Sequence, residues 1–272
     1  MQISDRIKSI KPSLTLAMNA KALELKEQGV MVTSLAVGEP DFPTPKHICE
    51  AAKAAIDSNF CRYTAVPGIR ELRKAVCGYY SNQYDLTIRP ENVIISNGGK
   101  QALYNYIMCT VNPGDEVLIP APYWVSYPAI VELAGGVPVY VEAGPEDGFK
   151  VTPDKIRKAI TPKTKLFILN SPCNPTGAVY SASELEGIMD VVIGAGLNVF
   201  SDEVYDQLVF APAEMASASP YFAKYPEQVS ILCGLSKSFA MTGWRVGFLV
   251  AHEEIIKKCS TLQDRARPIS VP

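Results

Sequence analysis

From residue 93 onward the chain alternates short apolar, β-branched runs with stretches long enough for helices. VIIS starts at Val93, VLIP at Val117, VPVYVE at Val137 and LFILN at Leu166; LNVFS, VSILC and VGFLV follow from Leu197, Val229 and Val246. Short runs with little polar alternation are what strands covered on both faces look like. Helical patterns fall between them, over residues 101–111, 125–133 and 183–193. The alternation predicts an α/β fold, a mostly parallel seven-stranded sheet with helices on both faces. VSILC and VGFLV are joined without room for a full helix, so one strand of that pair is expected to run antiparallel.

Before residue 93 the pattern predicts a helix over residues 15–28, closed by Gly29. A short apolar run at 32–37 breaks at the turn-rich GEPDFPTP, and helices over 47–56 and 71–81 flank the loop NFCRYTAVPGI. No internal repeat or low-complexity segment occurs. The expected organisation is an N-terminal segment over 1–45, a large domain over 46–262 and a tail over 263–272.

Composition narrows the function. The 272 residues carry a formal net charge of -2, with 47% hydrophobic and 20% charged positions. That supports one substantial core and gives no electrostatic reason to bind nucleic acid or an anionic membrane. No apolar stretch approaches the roughly 18 residues needed to cross a bilayer. The mixed, polar N-terminus resembles neither a signal peptide nor a clear transit peptide. Seven cysteines without a CxxC pair suit a reduced compartment, and the expected location is the cytoplasm. With two histidines, His47 and His252, there is little material for a metal site or a Ser-His-Asp triad. Both read as surface residues, and no metal is expected.

Ligands of open parallel sheets bind beyond the carboxyl ends of the strands. Those positions read Asn97-Gly98-Gly99-Lys100, Ala121-Pro122-Tyr123-Trp124, Asn170 to Gly177, Asp202-Glu203-Val204-Tyr205 and Gly234-Leu235-Ser236-Lys237. The glycine pair opening a helix is either a tight turn or an anion site built from free amides. Asp202 suits a helix cap, a metal ligand or the partner of a protonated ring nitrogen. Asn174-Pro175-Thr176-Gly177 reads as a rigid turn, and Trp124 as core packing or a stacking ring. Lys237 fits the structural readings least: a lysine after a buried strand is costly unless paired or neutral. Its neutral amine is what carbonyl capture requires, and Arg245 supplies a planar cation for a phosphate. Together these groups describe a site for pyridoxal phosphate.

GLSKSFAMTGWRVG, with GEPDFPTP, NGGKQAL, APYWVSYP, NSPCNPTGAVY and SDEVYDQL in order, resembles the class I/II aminotransferases, the fold-type I pyridoxal-phosphate enzymes. The wording is similar to the bacterial aspartate/prephenate branch, and the likeness runs to about Leu262. The resemblance implies Lys237 as the catalytic Schiff-base lysine and Asp202 on the pyridinium N–H. It implies Asn174 and Tyr205 on the ring's phenolic oxygen and Trp124 stacked on the ring. Gly99, Lys100, Gln101 and Arg245 would hold the phosphate end. Ser236 would compensate for Gly234, which stands where some branches have a phosphate-binding serine. Gly38, Lys100, Trp124 and Asn174 would meet substrate, and Tyr63 would cross a homodimer interface to the partner's phosphate. Pro122 and Pro175 occupy positions where the family often has cis bonds.

The activity implied is ping-pong transfer of an amino group between an amino acid, aspartate or another dicarboxylic one, and a 2-oxo acid. Family members continue through a C-terminal small domain carrying the arginine that grips the substrate α-carboxylate. The residues after Gln263 do not resemble that continuation, so the expectation is a C-terminally truncated chain. Arg265 and Arg267 read as an exposed basic tail. A remnant that binds the cofactor without productive turnover, and a lyase of the same fold, are the alternatives.

Overall fold

The computed structural model describes residues 2–8, 10–35 and 38–266. It begins with α1 (Asp5–Lys8), α2 (Leu14–Glu27), α3 (Lys46–Asp57) and α4 (Arg70–Tyr84). Strands and helices then alternate: β1 (Val93–Asn97), α5 (Gly99–Thr110), β2 (Glu116–Ala121), α6 (Ser126–Leu133), β3 (Val137–Glu142), α7 (Pro153–Ala159) and β4 (Thr164–Asn170). The rest is α8 (Ala182–Gly194), β5 (Asn198–Asp202), α9 (Ser219–Lys224), β6 (Val229–Gly234), α10 (Leu235–Ser238), β7 (Val246–Val250) and α11 (Glu253–Ala266).

The seven strands form one sheet in the order β1-β7-β6-β5-β4-β2-β3. β7 is antiparallel to both of its neighbours, and the other pairings are parallel. This is the sheet that the apolar runs predict, including the antiparallel strand.

Two apolar layers cover the sheet, and period-two alternation assigns residues to them. Phe167, Leu169, Val199, Ile231 and Phe248 enter the layer shared with α4, α8 and α9. Leu166, Ile168, Phe200, Leu232 and Leu249 enter the layer shared with α5, α6 and α11. Both faces being buried explains why the strands read as nearly unbroken apolar runs. α8 starts on a capping box, in which Ser181 and Glu184 each accept the other's backbone N–H at 3.3 and 2.8 Å.

α2 ends at Glu27, with Gly29 at φ +80°, and buries none of its residues. The apolar run that starts at Val32 forms no strand over 32–35; Ala36 and Val37 lie outside the described residues. His47 is exposed, whereas His252 is half-buried rather than a plain surface residue. α11 runs through the 262/263 boundary to Ala266, and Gln263 on it is buried rather than part of a tail. Its Nε2 donates to the carbonyls of Val66 and Ile95 at 2.8 and 3.0 Å, and its Oε1 accepts from Asn105 at 2.9 Å. Arg265 is exposed, and Arg267 with the rest of the tail lies outside the described residues.

Candidate active site

Parallel strands bring their carboxyl ends to one edge of the sheet, and the antiparallel β7 brings its start there. That is how Arg245, one residue ahead of β7, joins residues that follow β1, β2, β4, β5 and β6. They surround a cavity of about 430 Å³. Gly38, Gly99, Lys100, Trp124, Asn174, Asp202, Tyr205, Ser236, Lys237 and Arg245 all line it, as the motifs lead one to expect. Gln101 and Tyr63 do not. Gln101 turns back to accept the Asn97 N–H at 2.8 Å, and Tyr63 is 85% exposed on the loop between α3 and α4.

At one end lie Gly98, Gly99 and Arg245. Gly98 has φ +75°, and a Cβ there would fall 2.4 Å from Arg245 Nη2, so the glycine lets the guanidinium lie against the loop. A Cβ on Gly247 would fall 2.4 Å from the Gly99 nitrogen, and one on Gly234 would meet the Val246 carbonyl at 3.2 Å. Close strand contact therefore favours glycine at 234, while Ser236 faces the cavity. At the start of α5 the Gln101 N–H donates to the Gly98 carbonyl at 3.2 Å, while the Gly99 and Lys100 amides precede the first intrahelical acceptor. Arg245 donates, among the described residues, only to the Thr242 and Asn97 carbonyls, at 3.0 and 3.5 Å. Among the described residues, none of Lys100, Lys237 and Arg245 forms an ion pair. Uncommitted amides beside unpaired cations make an anion site.

At the other end Asp202 is 3% exposed. Its Oδ2 accepts the Tyr127 phenol at 2.7 Å and its Oδ1 the Val204 N–H at 3.2 Å. Burial pushes its carboxyl up to about 6, and these two donors oppose the rise. No cluster of metal-ligating side chains occurs among the described residues. Tyr127 went unnoticed in the sequence. It stands three residues after Trp124, across the start of α6, and packs edge-on to it at 5.4 Å.

Between the two ends, Lys237 Nζ donates to the Gly38 carbonyl at 2.5 Å and lies 5.7 Å from the centre of the Tyr205 ring. Burial lowers its pKa and Arg245 adds to the fall, while Glu39 opposes it. Lys100, 5.0 Å over the Trp124 ring, is lowered by burial and then by Arg245. Burial raises the pKa of the Tyr205 phenol, and the Asn174 amide opposes the rise. Asn170, a second residue missed in the sequence, fixes this loop. It donates to the Pro172 and Asp202 carbonyls at 3.2 and 3.0 Å and accepts the Asn174 N–H at 2.7 Å. The Ala121-Pro122 and Asn174-Pro175 bonds are cis, as are those before Pro172 and Pro212.

The model for aminotransferase class I and II matches residues 30–272. The chain belongs to this family. Class I and II aminotransferases depend on pyridoxal phosphate, and the residues here fit that group. The Arg245 guanidinium lying against the Gly98-Gly99 turn is suited to a phosphate, and the buried carboxylate at the opposite end to a protonated ring nitrogen.

Among aminotransferases, the chain is 45% identical to an aspartate/prephenate aminotransferase of Cereibacter sphaeroides, with 97% of this chain and 66% of that protein covered. It is 43% identical to the Thermus thermophilus aspartate/prephenate aminotransferase, covering 97% and 68%. The structure of Thermus thermophilus aspartate aminotransferase with maleate superimposes with a TM-score of 0.95 at 41% identity, covering all of this chain and 70% of that one. The chain thus spans about two thirds of the length of these relatives.

Proposed function

We propose that the chain binds pyridoxal phosphate and, as an aminotransferase, moves an amino group between a dicarboxylic amino acid such as aspartate and a 2-oxo acid in two half-reactions. The observation that carries this reading is the meeting of Lys237, Asp202 and Arg245 around one cavity at the sheet's carboxyl edge. When bound, pyridoxal phosphate supplies an electron-withdrawing ring that acidifies the Cα–H bond of an attached amino acid.

The chain's own residues do the rest. Lys237, whose pKa burial lowers so that its amine gives up a proton more readily, attacks a carbonyl and afterwards holds and returns the Cα proton. Asp202 keeps a proton on the ring nitrogen. Arg245, Ser236 and the Gly99 and Lys100 amides that open α5 bind the phosphate, with Gln101 bracing the turn through Asn97 and Gly98. Tyr205 and Asn174 orient the ring's oxygen, and Trp124 forms a wall that excludes water from one ring face. Gly38 offers its backbone to the substrate's α-carboxylate.

Lys100, unpaired at the cavity, binds the side-chain carboxylate. The maleate in the Thermus thermophilus structure, itself a four-carbon dicarboxylate, supports that substrate class. Tyr63, exposed and away from the cavity, serves the site of a second copy, which makes the active species a homodimer; we place it in the cytoplasm. In this reading residues 46–262 are the cofactor-binding domain.

Adding pyridoxal phosphate to the chain is expected to give a visible absorbance band that Lys237→Ala abolishes. Aspartate and 2-oxoglutarate are then expected to yield oxaloacetate and glutamate. A folded chain without the band overturns the cofactor assignment. A band without amino-group transfer overturns the aminotransferase assignment.

A further inference from the structure

Lys237 is carried by α10, a single turn whose far side faces away from the active-site cavity. One turn has too few internal hydrogen bonds to fix its own orientation. Leu235 packs against the core, but behind the rest of the turn an apolar cavity of about 160 Å³ lies between α4 and α10, lined by Val76, Tyr79, Leu235, Ser238 and Phe239 among others. What ties the turn down at this point is a carboxylate.

Asp206, 5% exposed, follows Tyr205 on the loop after β5. Its Oδ1 accepts the Ser238 hydroxyl at 3.2 Å. Its Oδ2 accepts the Tyr84 phenol at 3.0 Å and also the Tyr79 phenol, while the Gln207 amide reaches both Tyr79 Oη at 2.8 Å and Asp206 Oδ2 at 3.4 Å. Burial raises the pKa of both phenols, so they stay protonated and donate. Among the described residues no lysine or arginine pairs with Asp206; hydroxyls and an amide satisfy it instead. One side chain thereby joins α4, the loop bearing Asp202 and Tyr205, and the turn bearing Lys237.

We infer that Asp206 is a positioning residue for Lys237: through Ser238 it holds α10 against relaxation into the cavity behind, so that the amine projects toward Asp202 and Tyr205. This rests on the reading of Lys237 as the residue that captures pyridoxal phosphate. Without the tether the fold keeps its sheet, but the amine loses its fixed direction, and misorientation slows attack on a carbonyl.

Brief exposure to pyridoxal phosphate, borohydride trapping and peptide mapping read capture at Lys237, with the exposed Lys53 and Lys163 as internal references. Asp206→Ala removes the Ser238 contact and also strands the Tyr79 and Tyr84 phenols behind α10, and is expected to slow capture at Lys237 about tenfold relative to the references. Ser238→Ala, which removes only the Oδ1 contact, is expected to slow it about threefold. Asp206→Asn keeps an acceptor for Ser238 and is expected to restore most of the rate. Should Asp206→Ala fail to fold, Ser238→Ala and Asp206→Asn make the same test. Unchanged capture in folded Ser238→Ala, with only a lower thermal midpoint, overturns the positioning role. Absence of capture at Lys237 in the unmodified chain would instead overturn the cofactor reading beneath it.

Discussion

Asp202 and Glu203 are neighbours at the end of β5, both almost fully buried, with carboxyls that burial pushes up to about 6 and about 7. Alternation along the strand sends them to opposite faces. Glu203 enters the layer beside α9, where it accepts the Ser201 and Ser217 hydroxyls at 2.9 and 2.7 Å and the Ala218 N–H at 2.7 Å. Its donors close around it. Asp202 has one phenol and one amide, and it also lines the active-site cavity. Burial and a raised pKa therefore do not by themselves mark a functional carboxylate. The distinction lies in whether its hydrogen-bonding capacity is filled from within the fold or left for a ligand.

Substitution should separate the two. Asp202→Ala removes one partner of a buried pair and is expected to weaken pyridoxal-phosphate binding about 100- to 1000-fold in equilibrium titrations. It also strands the Tyr127 phenol and the Val204 N–H, two donors against three for Glu203, so the cofactor-free chain should lose some stability but less than in Glu203→Ala. Glu203→Ala should leave cofactor binding unchanged and cost more stability. It strands Ser201, Ser217 and the Ala218 N–H, at about 1–3 kcal/mol for each group left unpaired, and should appear as a lower urea midpoint. A Glu203→Ala chain of normal stability but weak cofactor binding would erase the contrast.

The pH dependence sharpens it. Glu203 binds its proton more tightly in the folded chain, where its pKa is about 7, than at its ordinary value of 4.5. Stability from this group is therefore fully present below pH 4.5 and is lost as pH rises toward 7, a fall of about 3 kcal/mol. Asp202 contributes in the same direction, between 3.8 and about 6. Glu203→Gln should flatten the rise of the urea midpoint on acidification across the upper part of this range. Asp202→Asn should flatten only its lower part.

How much of this was legible in the sequence follows from the same packing. All seven strands stand out because both sheet faces are covered, and the residues after them led to most of the cavity lining. α7 and α9 have only seven and six residues, too few for helical periodicity to rise above noise. α11 is longer, but its buried face consists of Ile256, Cys259 and Gln263, and the glutamine reads as a surface residue until its carbonyl partners come into view. Tyr127 and Asn170 escaped because neither stands in a reactive position. Each acts on the site through another group, and such roles depend on distances that spacing alone does not give.

Tyr127 provides the smallest and most discriminating test. Tyr127→Phe keeps the ring edge-on to Trp124 and removes only the hydroxyl that Asp202 accepts. Without that donor, burial acts on Asp202 with less opposition, and its pKa moves further above about 6. More of the carboxyl is then protonated near neutral pH, and that proton must leave before the group can pair with a ring N–H. Cofactor affinity is expected to fall about tenfold near pH 6 and by less near pH 8, where the carboxylate is ionised in either chain. Ser217→Ala removes the matching hydroxyl from Glu203 and should leave affinity unchanged at both pH values while lowering stability by about 1 kcal/mol. If Tyr127→Phe behaved like Ser217→Ala, Asp202 would be a structural carboxylate of the same kind as its neighbour.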